Sequence, residues 1–379
     1  MPSIVYIDPQ SYNNLSLYDF GMMTAMQPNE VIIFGSQLWD CKPPNVQLNT
    51  WFKYNTKKNA LIKGISYIYT IAKIARYINS HPEIKIVHVQ WLRLWKIDYL
   101  FAKWLRHKQI KLVFTAHNIL PHDTGDSYLY KYNIYYNTVD YICVHSESTK
   151  QELTSQFKIN PNKIIVIPHG IIYSDVPEHT ILSKAEIFRK KFNISKDTLV
   201  ISSLGIQSYY KGIDILINVW AKEIALNTNT RTKLLIVGKN SGVDYTPLNG
   251  LENVIIIDNK VSNEDFQAYL EISDILLLPY RIISQSGVLF SAISRNKPVI
   301  VSDAGGLGEP LTIGNIGWSI GCANENSLKT TLIDIATYPY KVKSIQNNIK
   351  EFCKVKEYYS WKSISKRLKK LYDDIIKDG

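Results

Sequence analysis

Between residues 275 and 309 the chain runs strand, polar turn, helix, strand, glycine turn, and that order restricts it to a parallel α/β architecture. Residues 275–279 (ILLLP) form an apolar strand that leads into Gln285-Ser286-Gly287. Residues 288–295 have helical spacing, and residues 298–303 (PVIVSD) make a second buried strand ending at Gly305-Gly306. Two buried strands joined through a helix pair in parallel, because a crossover replaces the hairpin. A small-residue turn that opens a helix presents unpaired backbone N–H groups and the positive end of the helix dipole, which suits a phosphate. In a doubly wound sheet, ligands sit at the carboxyl ends of the strands, where this turn falls.

The same alternation fills the rest of the chain. Residues 3–8, 31–36, 85–91, 111–118, 141–146 and 163–170 read as strands, with helices at 60–78, 97–108, 128–138 and 148–157. Helix 60–78 is expected to bury Leu61, Ile65, Ile68, Ile71, Ala72, Ala75 and Ile78 along one broad face. Around 171–180 the pattern lapses into turn residues. Strands at 198–205, 233–238 and 253–258 and helices at 213–225 and 263–272 then precede the 275–309 segment. The expected fold is α/β: two Rossmann-like doubly wound parallel-sheet domains, residues 1–175 and 176–357, facing across a cleft. The amphipathic tail, residues 358–379, is an expected helix with no following strand.

A chain of 379 residues can bury two such cores. Its four cysteines have no paired spacing, which argues against a disulfide framework or a zinc site and fits a reducing compartment. No N-terminal basic region precedes an apolar stretch, and no run reaches the ~20 apolar residues of a membrane span. The net charge of +11 is local: residues 51–111 hold ten Lys and three Arg against Glu83 and Asp98, interleaved with Tyr67, Tyr69, Tyr77, Trp91, Trp95, Tyr99, Phe101 and Trp104. Basic residues among large aromatics suit an anionic membrane surface. Nucleic acid is not expected, since no reading motif accompanies the charge.

Several segments recur in a familiar order: VFTAHNILPHD (113–123), VHSESTKQEL (144–153), VIPHG (166–170), LGIQSYYKG (204–212), Gln285-Ser286-Gly287-Val288 and Gly305-Gly306 with Glu309. In order and spacing the chain resembles the family 4 glycosyltransferases, retaining enzymes of the GT-B fold that use nucleotide sugars. The likeness is to those that build bacterial surface polysaccharides or glycolipids. It implies a hexosyltransferase-type enzyme with a UDP- or GDP-linked donor and a lipid-linked or oligosaccharide acceptor. It also implies that the tail helix, residues 358–379, crosses back to the first domain. Neither cofactor nor metal is implied. The expected place is cytoplasmic, peripheral on the inner face of the cell membrane.

The resemblance also assigns residues. Lys211 neutralises the donor diphosphate, with Gly205 and Ser208 in the same turn, Gln285, Ser286, Gly287 and Val288 at the helix start, and Glu309 after the double glycine. His117 contacts the donor sugar near the reacting carbon, while His122 and Asp123 meet the acceptor or the sugar. His169 shapes the hinge. The family's arginine a few residues before the lysine is missing, its candidate positions holding Ile206, Gln207 and Ser208; Arg281 is the expected substitute. Two glutamates common in the family are replaced by Ile283 and Ser291. Asp123 leaves an inverting mechanism open, as general base toward the acceptor hydroxyl. Two alternatives stand beside transfer: a catalytically degenerate homologue that binds a nucleotide sugar or a partner, and a sugar-nucleotide epimerase.

Overall fold

The computed structural model describes residues 3–12, 14–43, 45–53, 56–57, 59–120, 128–171, 173–225, 231–283 and 286–377. The chain divides into two units, Met1–Gly170 with Tyr359–Gly379, and Ile171–Tyr358.

The first unit is built on seven strands: β1 (Ile4–Asp8), β2 (Val31–Ser36), β3 (Gln47–Phe52), β4 (Ile86–Val89), β5 (Lys111–Thr115), β6 (Tyr141–Val144) and β7 (Ile164–Val166). They form one parallel sheet in the order β3-β2-β1-β4-β5-β6-β7, so the chain reverses direction across the sheet between β1 and β4. Every residue of β1, β2 and β4 is buried, as expected of strands covered on both faces. Val5 and Ile7 join the core under the helices Ala60–Asn79 and Trp95–His107, while Ile4 and Tyr6 face the opposite core. That second core is closed by the C-terminal helix Trp361–Lys377, which buries Ile364, Leu368, Leu371, Tyr372 and Ile375 at helical spacing. Polar ties hold it in place: Ser365 Oγ donates to Met22 O at 2.6 Å, and Tyr372 Oη lies 2.6 Å from His88 Nδ1.

The second unit has β8 (Leu199–Leu204), β9 (Gln207–Ser208), β10 (Thr232–Val237), β11 (Asn240–Ser241), β12 (Val254–Ile257), β13 (Ile275–Leu278), β14 (Val299–Ser302) and β15 (Gly317–Ile320). Six of them make a parallel sheet in the order β12-β10-β8-β13-β14-β15, reversing between β8 and β13; β9 and β11 pair separately. Both units therefore have doubly wound α/β topology.

Two expectations are corrected, and one strand is added. Leu61, Ile65, Ile68 and Ala72 do not enter the core: the first three are 72%, 59% and 43% exposed, and the helix buries Tyr67, Thr70 and Ile74 along with the expected Ile71 and Ile78. The buried stripe is turned relative to the apolar one, and Tyr67 joins it because its hydroxyl donates to buried Asp98 at 2.7 Å. The helix expected over 213–225 is α-helical only at Ile213–Val219 and widens into a π turn at Trp220–Ile224, which seats the fully buried Trp220. Strand β3, a mixed polar edge strand, carries little of the apolar signal that marks its neighbours.

Candidate functional site

In the second unit, β8 ends at Leu204, and from Gly205 the chain turns through β9 and a 3₁₀ turn, Tyr209–Lys211, into the helix Ile213–Val219. Gly212 adopts φ +67°, and a Cβ there would lie 2.0 Å from Pro279 O, so only glycine lets this turn press against the end of β13. Beyond β13, Ser286 caps the helix Gly287–Ser294, its hydroxyl accepting from Leu289 N–H at 3.4 Å. The two turns meet at Gly205 (φ +98°), where a Cβ would come within 3.2 Å of Lys211 Nζ and 3.5 Å of Val288 Cγ2. Lys211 and the start of the helix thus border one spot, as a diphosphate grip requires.

Lys211 is buried, with Nζ 5.2 Å from the centre of the Tyr280 ring. Among the described residues no carboxylate pairs with it, and burial pulls its ammonium down to about 8. The side chains of Tyr280 and Ser286 are hydrogen-bonded, which ties the lysine's aromatic wall to the helix cap. Ser208 Oγ is buried with no hydrogen-bond partner among the described residues. Of the positions expected to lack the arginine, Ile206 is exposed and Gln207 is turned inward. Gln207 Nε2 donates to Gly205 O at 2.6 Å and to Val237 O at 3.0 Å, so it braces the turn.

Arg281, the expected substitute for that arginine, is engaged by neighbours in its own unit. Its guanidinium pairs with Asp214 at 2.6 and 2.7 Å, donates to Tyr209 O at 2.6 Å and lies 3.9 Å over the Tyr209 ring. Both arms clamp the 209–211 turn onto the end of β13, consistent with the bidentate fork of arginine. Gly287 is exposed, and Val288 and Glu309 are half-buried; Glu309 opens the short helix Glu309–Ile313. At the two positions where carboxylates were missed, Ile283 is half-buried and Ser291 Oγ donates to Gly287 O at 2.9 Å. Gln285, His122 and Asp123 lie outside the described residues.

In the first unit His117 follows β5, its ring stacked on Trp91 at 4.3 Å with the planes 10° apart. Tyr18 meets His117 at 5.1 Å, His145 at 5.7 Å and His169 at 5.2 Å. Hydrogen bonds fix the tautomers. His145 Nδ1 lies 2.9 Å from Ile167 O, a pure acceptor, so that nitrogen carries the proton. His145 Nε2 then accepts from His117 Nδ1 at 3.2 Å, and His117 Nε2 is left as an acceptor with Gln90 Oε1 3.0 Å away, which calls for the Gln90 amide to be turned over. With the amide nitrogen toward His117, Gln90 Nε2, otherwise unpartnered, gains its bond. Burial, followed by the neighbouring histidines, holds His117 well below the ordinary histidine range, so the ring is neutral at pH 7. His169, whose acidity burial moves to about 4, packs on Trp361, the first residue of the C-terminal helix.

With this geometry, comparison with known proteins is decisive. The Glycosyltransferase Family 4 model matches residues 24–174, and the Glycosyl transferases group 1 model matches residues 195–337. The chain belongs to the family 4-like GT-B glycosyltransferases. It is 26% identical over 345 residues to an uncharacterized glycosyltransferase of Methanocaldococcus jannaschii, covering 86% of this chain and 88% of that protein. It is 25% identical to the phosphatidylinositol N-acetylglucosaminyltransferase gpi3 subunit of Schizosaccharomyces pombe, over 81% of this chain and 64% of that one. Among solved structures, HepE of Anabaena in complex with UDP superposes with a TM-score of 0.69 at 15% identity, over 99% of this chain and 100% of that one. The GT-B fold is thereby established, and the chain is a nucleotide-sugar-dependent glycosyltransferase.

The glycosyltransferase also has residues near His117 that sequence reasoning passed over: Gln90, Trp91, His145 and Tyr18. Three of the four were inside or beside segments already read as strands; Gln90 and Trp91 directly follow β4, and His145 directly follows β6. The usable signal was a polar or aromatic residue just past an apolar strand, where a doubly wound sheet places ligands.

Proposed function

We propose that this glycosyltransferase moves a hexose from a UDP- or GDP-linked sugar to a lipid-linked saccharide, with retention at the anomeric carbon and without a metal ion. The product is a surface polysaccharide or glycolipid, made at the inner face of the cell membrane. Residues 176–357 take the nucleotide sugar; residues 1–175, with the terminal helix of 358–379, take the acceptor. The observation that carries this reading is Lys211, a buried ammonium beside Gly205, Val288 and the helix cap, with no carboxylate partner among the described residues.

Transfer builds negative charge on the leaving diphosphate and positive charge on the anomeric carbon. Lys211, the hydroxyls of Ser208 and Ser286, and the backbone N–H groups of Gly287 and Val288 stabilise the diphosphate. Neutral His117 hydrogen-bonds the donor sugar near the reacting carbon; Gln285 and Glu309 border the donor, and His122 and Asp123 the acceptor. Arg281 holds the lysine's turn in shape and does not itself touch phosphate.

A relative named for phosphatidylinositol supports a lipid acceptor. So does the helix Ala60–Asn79, which exposes Leu61, Ile62, Ile65, Ile68 and Tyr69 beside Lys63, Lys73 and Arg76. No helix of the described residues is long and apolar enough to cross a membrane. Apolar side chains ringed by cations suit shallow insertion into an anionic surface.

Thermal shifts with UDP, GDP and their sugars test the donor reading, since a ligand at ~100 times its dissociation constant adds ~2.7 kcal/mol. A melting temperature indifferent to all of them overturns it. Chelators are expected to leave turnover unchanged. Flotation with phosphatidylglycerol vesicles is expected to fall as salt rises and in the Leu61→Asp/Ile65→Asp double variant; equal flotation with uncharged vesicles refutes the membrane assignment.

A further inference from the structure

A buried carboxyl pair lies in the first unit among residues given no role above. Asp8 closes β1, and Asp19 sits on the helix Asn14–Met22, directly after Tyr18; both side chains are buried. Gln10 N–H donates to Asp8 Oδ1 at 2.7 Å, and the Ser11 N–H and the Trp91 indole N–H also face this carboxylate. Asp19 receives the Tyr6 hydroxyl on Oδ1 at 2.5 Å and faces Asp8 with its other side. Trp91 Nε1 and Asp19 Oδ2 are buried and have no hydrogen-bond partner among the described residues. Two ionised carboxylates cannot share so dry a place, so one of them keeps a proton.

The donors decide which one. Three N–H groups converge on Asp8, and a carboxylate suits them; Asp19 has one hydroxyl and the negative charge of Asp8 beside it. Asp19 is therefore the protonated partner and points its hydrogen at Asp8. Burial first, and then the Asp8 charge, hold Asp19 well above the ordinary carboxylate range, while burial lifts Asp8 to about 7. The titratable groups around the pair are Tyr6 on β1, Tyr18 on the same helix as Asp19 and Cys41 in the segment after β2.

Each carboxyl group adjoins a wall of His117. Trp91, which faces Asp8, stacks on the His117 ring; Tyr18, next to Asp19 in the chain, covers its edge. We propose that Asp8 and Asp19 form a proton-sharing positioning pair: ionised Asp8, held by neutral Asp19, anchors Trp91 and the loop after β1 so that the His117 ring keeps one orientation toward the donor sugar. The proposal rests on the assignment of the donor sugar to His117. Neither aspartate touches substrate.

The two residues then respond differently to the same substitution. Asp19→Asn keeps an N–H toward Asp8 and an oxygen toward Tyr6, so it should reproduce the native arrangement. Asp8→Asn turns an NH₂ group toward N–H donors and should not. The experiment compares full-length Asp8→Asn, Asp19→Asn, Trp91→Phe and His117→Ala by histidine ring ¹⁵N spectra and by nucleotide release from UDP-glucose, UDP-galactose, UDP-N-acetylglucosamine and GDP-mannose. In Asp19→Asn the His117 ring signals should stay in place, with kcat within about threefold of wild type. In Asp8→Asn they should move, and kcat should fall about 10- to 100-fold with little change in KM, as for a misplaced group. Trp91→Phe keeps the stack but deletes the N–H that meets Asp8, and it should move the same signals if Asp8→Asn fails to fold.

Melting across pH gives an independent check. A raised native pKa means the folded state holds its proton longer than the unfolded one, so this contribution is full below about pH 4 and is lost as pH rises toward the native value. Asp19→Asn should remove the share of that slope that Asp19 contributes and leave the share of Asp8. Unmoved His117 signals in both Asp8→Asn and Trp91→Phe overturn the proposal, as does equal damage from the two asparagine variants. Wild-type turnover in His117→Ala instead refutes the His117 assignment; the ring spectra, which need no substrate, still report on the pair.

Discussion

The carboxyl ends of the two sheets share a topology and differ in how their polar groups are answered. In the second unit, buried groups wait for a partner: Lys211 has no carboxylate, Ser208 Oγ has no hydrogen bond among the described residues, and a helix opens beside them. In the first unit the histidine nitrogens are answered, His117 by Gln90 and His145, and His145 by Ile167 O, beside Trp91 and Tyr18, whose Nε1 and Oη have no hydrogen-bond partner among the described residues. An unanswered ammonium is an unfavourable element in the empty protein that an anion relieves. A closed relay gains little from ligand charge but holds a ring still. The difference teaches that affinity should reside in the second unit and rate in the first.

The largest effect that tests this division is Lys211→Met, which keeps the length of the side chain and removes its charge. Titration calorimetry with UDP and GDP should show binding weakened by ~100-fold or more, and turnover should fall with it. The empty protein should melt no lower and plausibly higher in temperature near pH 7, because holding a buried ammonium whose pKa is about 8 against 10.5 costs the native state about 1–3 kcal/mol. The unfolded chain binds more protons between those two values, so wild-type stability gains from this residue as pH rises through that window, and the variant should lack that gain. Wild-type nucleotide affinity in Lys211→Met would erase the contrast between the units. His117→Ala is the reciprocal case: kcat should drop on the order of 10²-fold while the dissociation constant of UDP stays put. A loss confined to binding would place affinity in both units.

How far the contrast was legible in the sequence follows from what each end is made of. The strands of both units are near-continuous apolar runs, such as IVYID and VIIFGS, and the turn proposed to hold phosphate is marked by Gly205, Lys211, Gly212 and the small residues at 286–287. Local spacing carries such features. The partner of Arg281 was not legible, because Asp214 lies 67 positions away and only the strand order brings them together. The relay was hidden for the same reason: Gln90, His117, His145 and Ile167 each follow a different strand, and their contact is a product of the parallel register. On the helix Ala60–Asn79 the apolar spacing was correct, yet spacing does not say which apolar residues meet the sheet. Tyr67 and Thr70 took positions that Leu61 and Ile65 were expected to fill.

A smaller effect sharpens the comparison through pH alone. If the diphosphate site depends on the Lys211 charge, UDP affinity should be nearly flat from pH 7 to 8 and fall by about tenfold per unit above it, as the free ammonium loses its proton. His169 and His117 stay neutral over that range and contribute no such limb, His169 because burial keeps it near 4 and His117 because burial and neighbouring rings keep it low. Calorimetry in buffers of different ionisation heat should also detect proton uptake on binding above pH 8, and none in Lys211→Met.

The smallest expected effect separates holding a phosphate from holding the residue that holds it. Arg281→Lys retains a cation at the end of β13 but cannot reproduce the fork to Asp214 together with the bond to Tyr209 O. If Arg281 only clamps the turn, the variant should lose a few-fold in UDP affinity and about 1 kcal/mol in stability. Asp214→Asn, which breaks the same clamp while leaving the arginine charge free, should cost about as much. If instead Arg281 is a phosphate ligand, Asp214→Asn releases the guanidinium and nucleotide binding should tighten. The two variants then move UDP affinity in opposite directions, and the sign in Asp214→Asn decides whether the second unit grips its diphosphate with one cation or with two.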